Sequence, residues 1–256
     1  MRVTDQTLLK PGIAADARAT GRAIEALTSR IYPNIKKIAF FGDSFTWGRD
    51  GSVTGTIQQV SKTIPEVVSE KLGVVTTNYG VGGMGWLRVA DHPGLPETNA
   101  YGMISNTDLS GYDYVVLDFG CNDGYKPIGE WDSSDETTLA GQINKCLNYL
   151  KTISPEIVVI MVAPWNGCNV GSYPDYWYGD VTGMTINNTM RHSRQELRNV
   201  EARICQNLFY AFIDIYDAPI NSSNIVDALP DGNHATAGYY VKVGEWLAAK
   251  MGRIVK

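Results

Sequence analysis

The chain has 256 residues, of which 44% are hydrophobic and 19% charged, the proportions of an ordinary globular protein. These values exclude a disordered chain and a coiled coil as descriptions of the whole. The formal net charge of −5 at pH 7 gives no electrostatic footprint for DNA or RNA, so a nucleic-acid partner is not expected. No stretch approaches the roughly 18 consecutive apolar residues of a membrane span, so none is expected.

Residues 1–34 differ from the rest of the chain and predict a helical extension or linker. Ile13, Ala17, Ile24 and Leu27 can share one stripe of a helix, which Pro33 then ends. This helix either packs on the domain that follows or ends a longer helical stalk. The stretch resembles linkers that precede domains in bacterial prophage tail and surface proteins, and a stalk of that kind is compatible with a homo-oligomer.

Residues 35–256 form the second predicted region, in which short apolar runs alternate with helical segments. The apolar runs are nearly continuous, as in strands covered on both faces, and lie at 36–41, 74–79, 113–120, 156–163 and 209–215. Helix-spaced apolar residues fill 61–73, 135–153, 187–207 and 236–255. Strands separated by such long crossovers pair in parallel, so the pattern predicts an α/β sandwich.

The four cysteines lie at 121, 146, 168 and 205, and their spacing matches no zinc or redox motif of the CxxC type. Four reduced, mostly buried cysteines are the favoured interpretation, and one disulfide is the alternative. The first residues lack the layout of a signal peptide. The compartment stays open, because bacterial cytoplasmic, secreted and prophage-associated locations are all compatible with these features.

Small polar clusters follow the predicted strands, where open α/β sheets bind ligands. Ser44 follows the first strand, and a serine hydroxyl becomes a nucleophile only when a base removes its proton. His234 is the candidate base, and Asp231 is spaced to orient its ring. Taken singly, Ser44 could be a helix cap and the Asp231–His234 pair a capped loop, and Asp227 is another carboxylate near His234 in sequence.

An ester hydrolase also needs donors for an oxyanion. Gly83 lies in a glycine-rich run after the second strand, where its backbone N–H is unobstructed. Asn122 follows the third strand and offers a side-chain amide, and the Ser44 N–H is a third donor. The alternatives are a tight turn for the glycines and an Asx turn for Asn122.

Together these clusters resemble the four sequence blocks of the SGNH hydrolases, also called GDSL-type esterases and lipases. The matching residues are G-D-S-F at 42–45, N-Y-G-V-G-G at 78–83, G-C-N-D at 120–123 and D-G-N-H at 231–234. Phe45 stands in place of the usual Leu after the serine. The extra glycines in the second block leave Gly82 as an alternative to Gly83.

The resemblance implies roles for the residues of these blocks. Ser44 would be the nucleophile, His234 the base and Asp231 the residue that orients the base. Gly83, Asn122 and the Ser44 amide would form the oxyanion hole. The resemblance also implies a flavodoxin-like three-layer α/β/α sandwich around a five-stranded parallel sheet, with neither a metal nor an organic cofactor.

Aromatic residues near the blocks suggest a substrate class. The predicted substrate contacts are Trp47, Trp86, Trp165, Tyr176 and Trp177. Aromatic faces can stack on sugar rings, although a loop packed on itself would explain most of them. With the Gly, Asn and Asp of the loop after the fourth strand, this favours removal of small acyl groups, above all acetyl, from a carbohydrate. A lipase or acylhydrolase for longer acyl chains is the alternative.

Two other classes compete with a hydrolase. Residues 80–85 fit the GxGxxG pattern of dinucleotide-binding enzymes, but they follow the second strand and no acidic strand end comes about 20 residues later. A non-catalytic glycan-binding module of a surface or phage-tail protein would keep the fold without the activity. The presence of Ser44, Asn122, Asp231 and His234 argues against this module.

Overall fold

The computed structural model describes residues 35–53, 55–88, 98–124, 126–167 and 192–256. The chain divides into two units, Met1–Ile35 and Lys36–Lys256. The helix predicted within 1–34 lies outside the described residues and stays a prediction.

Five parallel strands form one sheet. They are β1 (Lys37–Gly42), β2 (Val75–Gly80), β3 (Tyr114–Asp118), β4 (Val158–Val162) and β5 (Ala211–Ile213). The order across the sheet is β2-β1-β3-β4-β5, and every neighbouring pair is parallel. This is the flavodoxin-like order, so the predicted five-stranded α/β sandwich is confirmed.

Seven helices occur in the described residues. They are α1 (Ser44–Trp47), α2 (Ile64–Leu72), α3 (Ala100–Ser105), α4 (Leu139–Ile153), α5 (Arg194–Leu208), α6 (Ile225–Ala228) and α7 (Ala237–Met251). The predicted segments 61–73, 135–153 and 236–255 contain α2, α4 and α7, and α5 extends one residue beyond the predicted segment 187–207. Helix α5 begins at a capping box, in which Ser193 Oγ accepts from the Glu196 N–H and the Glu196 carboxylate accepts from the Ser193 N–H.

Two apolar cores lie on opposite faces of the sheet. Successive side chains of a strand alternate between faces, so Ile38 and Phe40 of β1 enter one core while Ala39 and Phe41 enter the other. Helices α2 and α7 cover the first core, and α3, α4 and α5 cover the second. The result is three layers, with the carboxyl ends of the strands left free to carry polar residues.

Two further features bear on the sequence predictions. Within the described ranges, no helix is long and apolar enough to span a bilayer. Cys121, Cys146 and Cys205 are buried free thiols. Cys168 lies outside the described residues.

Candidate active site

Ser44 lies at the carboxyl end of the interior strand β1, as the first residue of α1. The Asp43 carboxylate caps this short helix by accepting from the Phe45 N–H at 2.8 Å. The cap fixes the direction in which the chain leaves the sheet. Ser44 is consequently held at the strand end with only 6% of its surface exposed.

A chain of two hydrogen bonds links Ser44 to the loop that precedes α7. Ser44 Oγ lies 2.8 Å from His234 Nε2, and His234 Nδ1 lies 2.7 Å from Asp231 Oδ2. The other carboxylate oxygen of Asp231 accepts from the backbone N–H groups of Asn233 at 2.9 Å and His234 at 2.7 Å. The loop therefore folds around the Asp231 carboxylate, while Asp227 is exposed on α6.

The local environment keeps the imidazole neutral and the carboxylate ionised. Burial lowers the pKa of His234 below its usual 6.5, and the bond to Asp231 opposes this effect without cancelling it. Burial alone would raise the pKa of Asp231, but the bond and charge of His234 outweigh burial and lower it. Near neutral pH, His234 can therefore accept a proton.

The glycine-rich segment after β2 forms a turn beside Ser44. The turn is closed by the Met84 N–H, which donates to Val81 O at 3.2 Å, and Gly83 has a φ of +78°, a left-handed value suited to glycine. A Cβ placed on Gly82 would lie 4.0 Å from Ser44 Cβ. The Gly82–Gly83 peptide is thus next to the serine, and the Gly83 N–H has no acceptor among the described residues.

Asn122 lies at the end of β3, beside β1 in the sheet, and is 6% exposed. Its Nδ2 donates to Met84 O at 2.8 Å and to Asp43 Oδ2 at the longer distance of 3.3 Å. The side chain therefore connects the glycine turn to the cap of α1. Its amide group is positioned between the two segments that flank Ser44.

Asp123 anchors the segment that follows the glycine turn. Its carboxylate accepts from the backbone N–H groups of Trp86 at 2.7 Å and of Leu87 and Arg88 at 3.0 Å each. A Cβ on Gly85 would lie 2.5 Å from Asp123 Oδ2, so only glycine allows this approach. Sequence reasoning missed this role, although the acidic residue beside Asn122 was a signal that could have found it.

Buried carboxyls lie below the strand ends and were also missed. Asp118 accepts from Thr46 Oγ1 at 2.6 Å and from Trp165 Nε1 at 2.9 Å. Burial, reinforced by the neighbouring Asp43, raises the pKa of Asp118 to about 8, and burial raises that of Asp43 to about 6. Burial also raises the pKa of Glu201 well above its usual value. These carboxyls act mainly as hydrogen-bonding groups within the protein.

The predicted aromatic substrate contacts divide into three cases. Trp47 is partly exposed beside Ser44 in sequence. Trp86 is fully buried and Trp165 is 2% exposed. Tyr176 and Trp177 lie outside the described residues, so their predicted contacts stay predictions.

The two buried tryptophans have packing partners that explain their burial. Trp86 packs on Phe119 with ring centroids 5.0 Å apart, and its Nε1 donates to Glu201 Oε1 at 2.8 Å. Trp165 stacks on Phe45 at 5.0 Å. A side chain without an accessible face cannot stack on a sugar ring, so the structure does not support substrate contact by Trp86 or Trp165. They are core residues behind the site.

The part of the chain that the structure describes contains no group of three or more His, Cys, Asp or Glu side chains that could hold a metal ion. The carboxylates of Asp43, Asp118, Asp123 and Asp231 instead accept from protein donors. What the arrangement offers chemically is a hydroxyl in contact with a neutral imidazole, next to unoccupied backbone N–H groups.

Solved structures of three esterases are similar to this chain. They are two proteins from Sinorhizobium meliloti, a carbohydrate acetylesterase (20% identity, TM-score 0.60) and a carbohydrate acetylesterase family member (18%, 0.62), and an aryl esterase from M. smegmatis (21%, 0.60). In each case the match covers 86% of this chain and at least 99% of the other chain. At these identities the likeness establishes the fold alone. No curated protein matches the chain.

The family assignment rests on a separate comparison of sequence. The GDSL-like lipase/acylhydrolase family matches residues 40–240, which include Ser44, the glycine turn, Asn122 and the His234 loop. The chain therefore belongs to the GDSL-like lipase/acylhydrolase family and is a serine ester hydrolase of the SGNH type.

Proposed function

We propose that the protein removes small acyl groups, above all acetyl, from a carbohydrate, with Ser44, His234 and Asp231 as its catalytic triad. The observation that carries the proposal is the continuous chain of hydrogen bonds from Ser44 Oγ through His234 to Asp231, at 2.8 and 2.7 Å. This is the geometry that a nucleophile, a base and an orienting carboxylate require.

In the first half-reaction, Ser44 Oγ attacks the ester carbonyl carbon while His234 Nε2 takes the hydroxyl proton. The new C–O bond places negative charge on the former carbonyl oxygen. Asp231 stabilises the imidazolium that results, because its carboxylate accepts from Nδ1. When the tetrahedral intermediate collapses, the bond to the alcohol breaks and His234 donates its proton to the leaving oxygen.

The oxyanion would be bound by the N–H groups of Ser44 and Gly83 and by the Asn122 amide. The free Gly83 N–H supports this assignment, and so does the contact between Gly82 and Ser44, which brings the Gly82–Gly83 peptide to the nucleophile. The Gly82 N–H likewise has no acceptor among the described residues, so the preference for Gly83 rests on its spacing from Asn78 in the sequence motif. Water then attacks the acyl-enzyme, with His234 as base again, and releases the acid and free Ser44.

Two observations support a small acyl group on a polar alcohol. Side chains beside the serine and histidine are polar, with Asn122 next to the glycine turn and Asn233 Nδ2 3.4 Å from His234 Nε2. A long acyl chain would require an apolar lining instead. Two structurally similar proteins are named as carbohydrate acetylesterases. With Trp86 and Trp165 buried, the aromatic argument for a sugar now depends on Trp47, Tyr176 and Trp177.

The test is hydrolysis of p-nitrophenyl esters from acetate to palmitate, together with release of acetate from an acetylated polysaccharide. The wild type, Ser44→Ala and the control Ser110→Ala, which alters an exposed turn, should be compared. We expect acetate to be the best model ester, and only Ser44→Ala to lose activity. A preference for long chains would replace the carbohydrate ester with a lipid-like one. Equal rates in the wild type and Ser44→Ala would contradict the triad.

A further inference from the structure

Arg194, the first residue of α5, is a buried cation without a hydrogen-bond partner at its end. Arg194 is 5% exposed, and neither Nη1 nor Nη2 has an acceptor in the described part of the chain. A buried charge normally has a partner, since an unpaired one loses its hydration without compensation. Arg194 is therefore costly in the free protein.

The position of Arg194 on α5 directs it to the catalytic edge of the sheet. It shares the buried stripe of the helix with Leu197 and Glu201, and it is the stripe's first member. Residues just before α5 are attached to the loop after β3, because the His192 N–H donates to Gly124 O at 2.8 Å. The guanidinium thus lies at the end of α5 that adjoins Asn122 and its neighbours.

The positive charge of Arg194 acts on two groups that adjoin the proposed triad and oxyanion hole in sequence. Burial raises the pKa of the Asp43 carboxyl and the Cys121 thiol, and the positive charge of Arg194 opposes the increase at both groups. Asp43 precedes Ser44, and Cys121 precedes Asn122. Arg194 is therefore close to both residues without a hydrogen bond to Asp43, whose carboxylate accepts from Phe45 and Asn122 instead.

A second polar atom at this edge also has no partner. Asn166 Oδ1 is buried without a donor among the described residues. It follows Trp165, whose carbonyl oxygen accepts from Cys121 Sγ at 3.6 Å. The proposed reacting residues, Ser44 and His234, are themselves only 6% and 5% exposed. Deep burial therefore does not by itself exclude Arg194 and Asn166 from contact with a substrate. On the proposed mechanism, a substrate must in any case reach side chains that are this deeply buried.

We propose that Arg194 is a specificity residue that binds a carboxylate of the ester substrate, so that the preferred substrate is an acidic one such as an acetylated uronic acid. The two free Nη groups form a planar fork, which matches the two oxygens of a carboxylate. The buried Asn166 Oδ1, which has no donor among the described residues, would accept from a hydroxyl of the same substrate. This inference rests on the proposed function, because it names the substrate class of the same site.

Binding can be measured without turnover in the Ser44→Ala background. Titration calorimetry should compare an acetylated uronic acid glycoside with its neutral carboxamide, and an adipate monoester with its methyl ester. The first pair places the carboxylate on the sugar and the second places it on the acyl group. We expect the charged member of one pair to bind roughly 10- to 100-fold more tightly, and Arg194→Met to abolish that preference.

Further variants separate recognition from a structural role. Arg194→Lys keeps the charge but loses the fork, so it should retain only part of the preference. Arg203→Met, an exposed change on the same helix, is the control and should retain it fully. Circular dichroism and thermal unfolding should show that Arg194→Met remains folded.

The kinetic counterpart uses the same substrate pairs with an intact Ser44. Arg194→Met should reduce the charged-to-neutral ratio of kcat/KM by roughly 10- to 100-fold, mainly through KM. Equal binding of the charged and neutral members of both pairs would overturn the subsite. An equal loss of kcat/KM for the charged and the neutral member in Arg194→Met would also overturn the subsite. That result is expected if Arg194 only acts as a counter-ion of Asp43. Failure of the proposed function is distinct, since it appears as absent ester hydrolysis while the calorimetry still decides the role of Arg194.

Discussion

The candidate site has two halves that differ in how they use acidic residues. The nucleophile half consists of Ser44, His234 and Asp231, and its carboxylate has a lowered pKa. The oxyanion half consists of the glycine turn, Asn122 and Asp123, and burial raises the pKa of Asp123. The nucleophile half keeps a negative charge next to the reacting atoms. The oxyanion half instead uses a buried carboxyl to hold a backbone segment in place.

The difference shows which property each half must preserve. On the proposed mechanism, Asp231 has to stay ionised, because it would stabilise a positive charge that appears only during the reaction. Asp123 has to stay in place, since its three backbone hydrogen bonds fix the segment behind the glycine turn. Substitutions in the nucleophile half should therefore cause the larger loss of kcat, because they impair the attack and the proton transfer. Substitutions in the oxyanion half should cause a smaller loss of kcat, because they weaken stabilisation of the transition state.

The largest effect is expected in the nucleophile half. His234→Ala removes the base and should lower kcat by roughly 10⁶-fold, whereas Asp231→Asn retains the base and should lower it by roughly 10⁴-fold. Assays of p-nitrophenyl acetate hydrolysis would measure the loss of kcat in both variants. His192→Ala is the matched control, because His192 is the partly exposed partner of Glu196 and should leave the rate unchanged. Equal losses from substitutions in the two halves of the site would contradict this difference between them.

A smaller effect is expected in the oxyanion half. Asn122→Ala deletes one proposed donor and should lower kcat by roughly 10²- to 10³-fold, with little change in KM. Steady-state kinetics at saturating ester would measure it, with the exposed Asn199→Ala on α5 as the control. A loss confined to KM would assign Asn122 to ground-state binding instead.

The smallest effect is a shift of the pH profile. On the proposed mechanism, neutral His234 is the active form. Its folded pKa lies below 6.5, so kcat/KM should be near its plateau at neutral pH and fall as the pH drops through that pKa. Asp231 raises the pKa of His234, so Asp231→Asn should move this limb to lower pH. Asp43, with a pKa of about 6, titrates in the same range. A limb that stays in place in Asp231→Asn would therefore not belong to His234.

Most of the fold could be predicted from the sequence because the three interior strands, β1, β3 and β4, are largely buried on both faces. Each predicted apolar run contains its observed strand except for the last residue of β1 and β2, where the glycines Gly42 and Gly80 extend the pairing. Parallel pairing followed from the long crossovers. The start of α5 was predicted too early, since the capping box at Ser193 begins the helix at Arg194.

The site was only partly predictable, because sequence spacing does not show which way a side chain faces. Trp86 and Trp165 lie next to motif residues, yet both pack into the interior. Glu201 and Arg194 belong to a charged helical segment that predicts exposure, but tertiary packing turns both inward. Motif residues could be found because their type is tied to chemistry, whereas the buried polar groups depend on contacts made across the fold.

The two hydrogen bonds of the Asn122 amide have a consequence for selectivity. Both of its N–H groups already have acceptors in the resting protein, Met84 O at 2.8 Å and Asp43 Oδ2 at 3.3 Å. On the proposed mechanism, an oxyanion must compete with Asp43 for the weaker of the two. A neutral carbonyl is a poor competitor for that donor, while a full negative charge is a strong one. The exchange would then occur only as the tetrahedral intermediate forms, which concentrates the stabilisation on the transition state and leaves the bound ester almost unaffected.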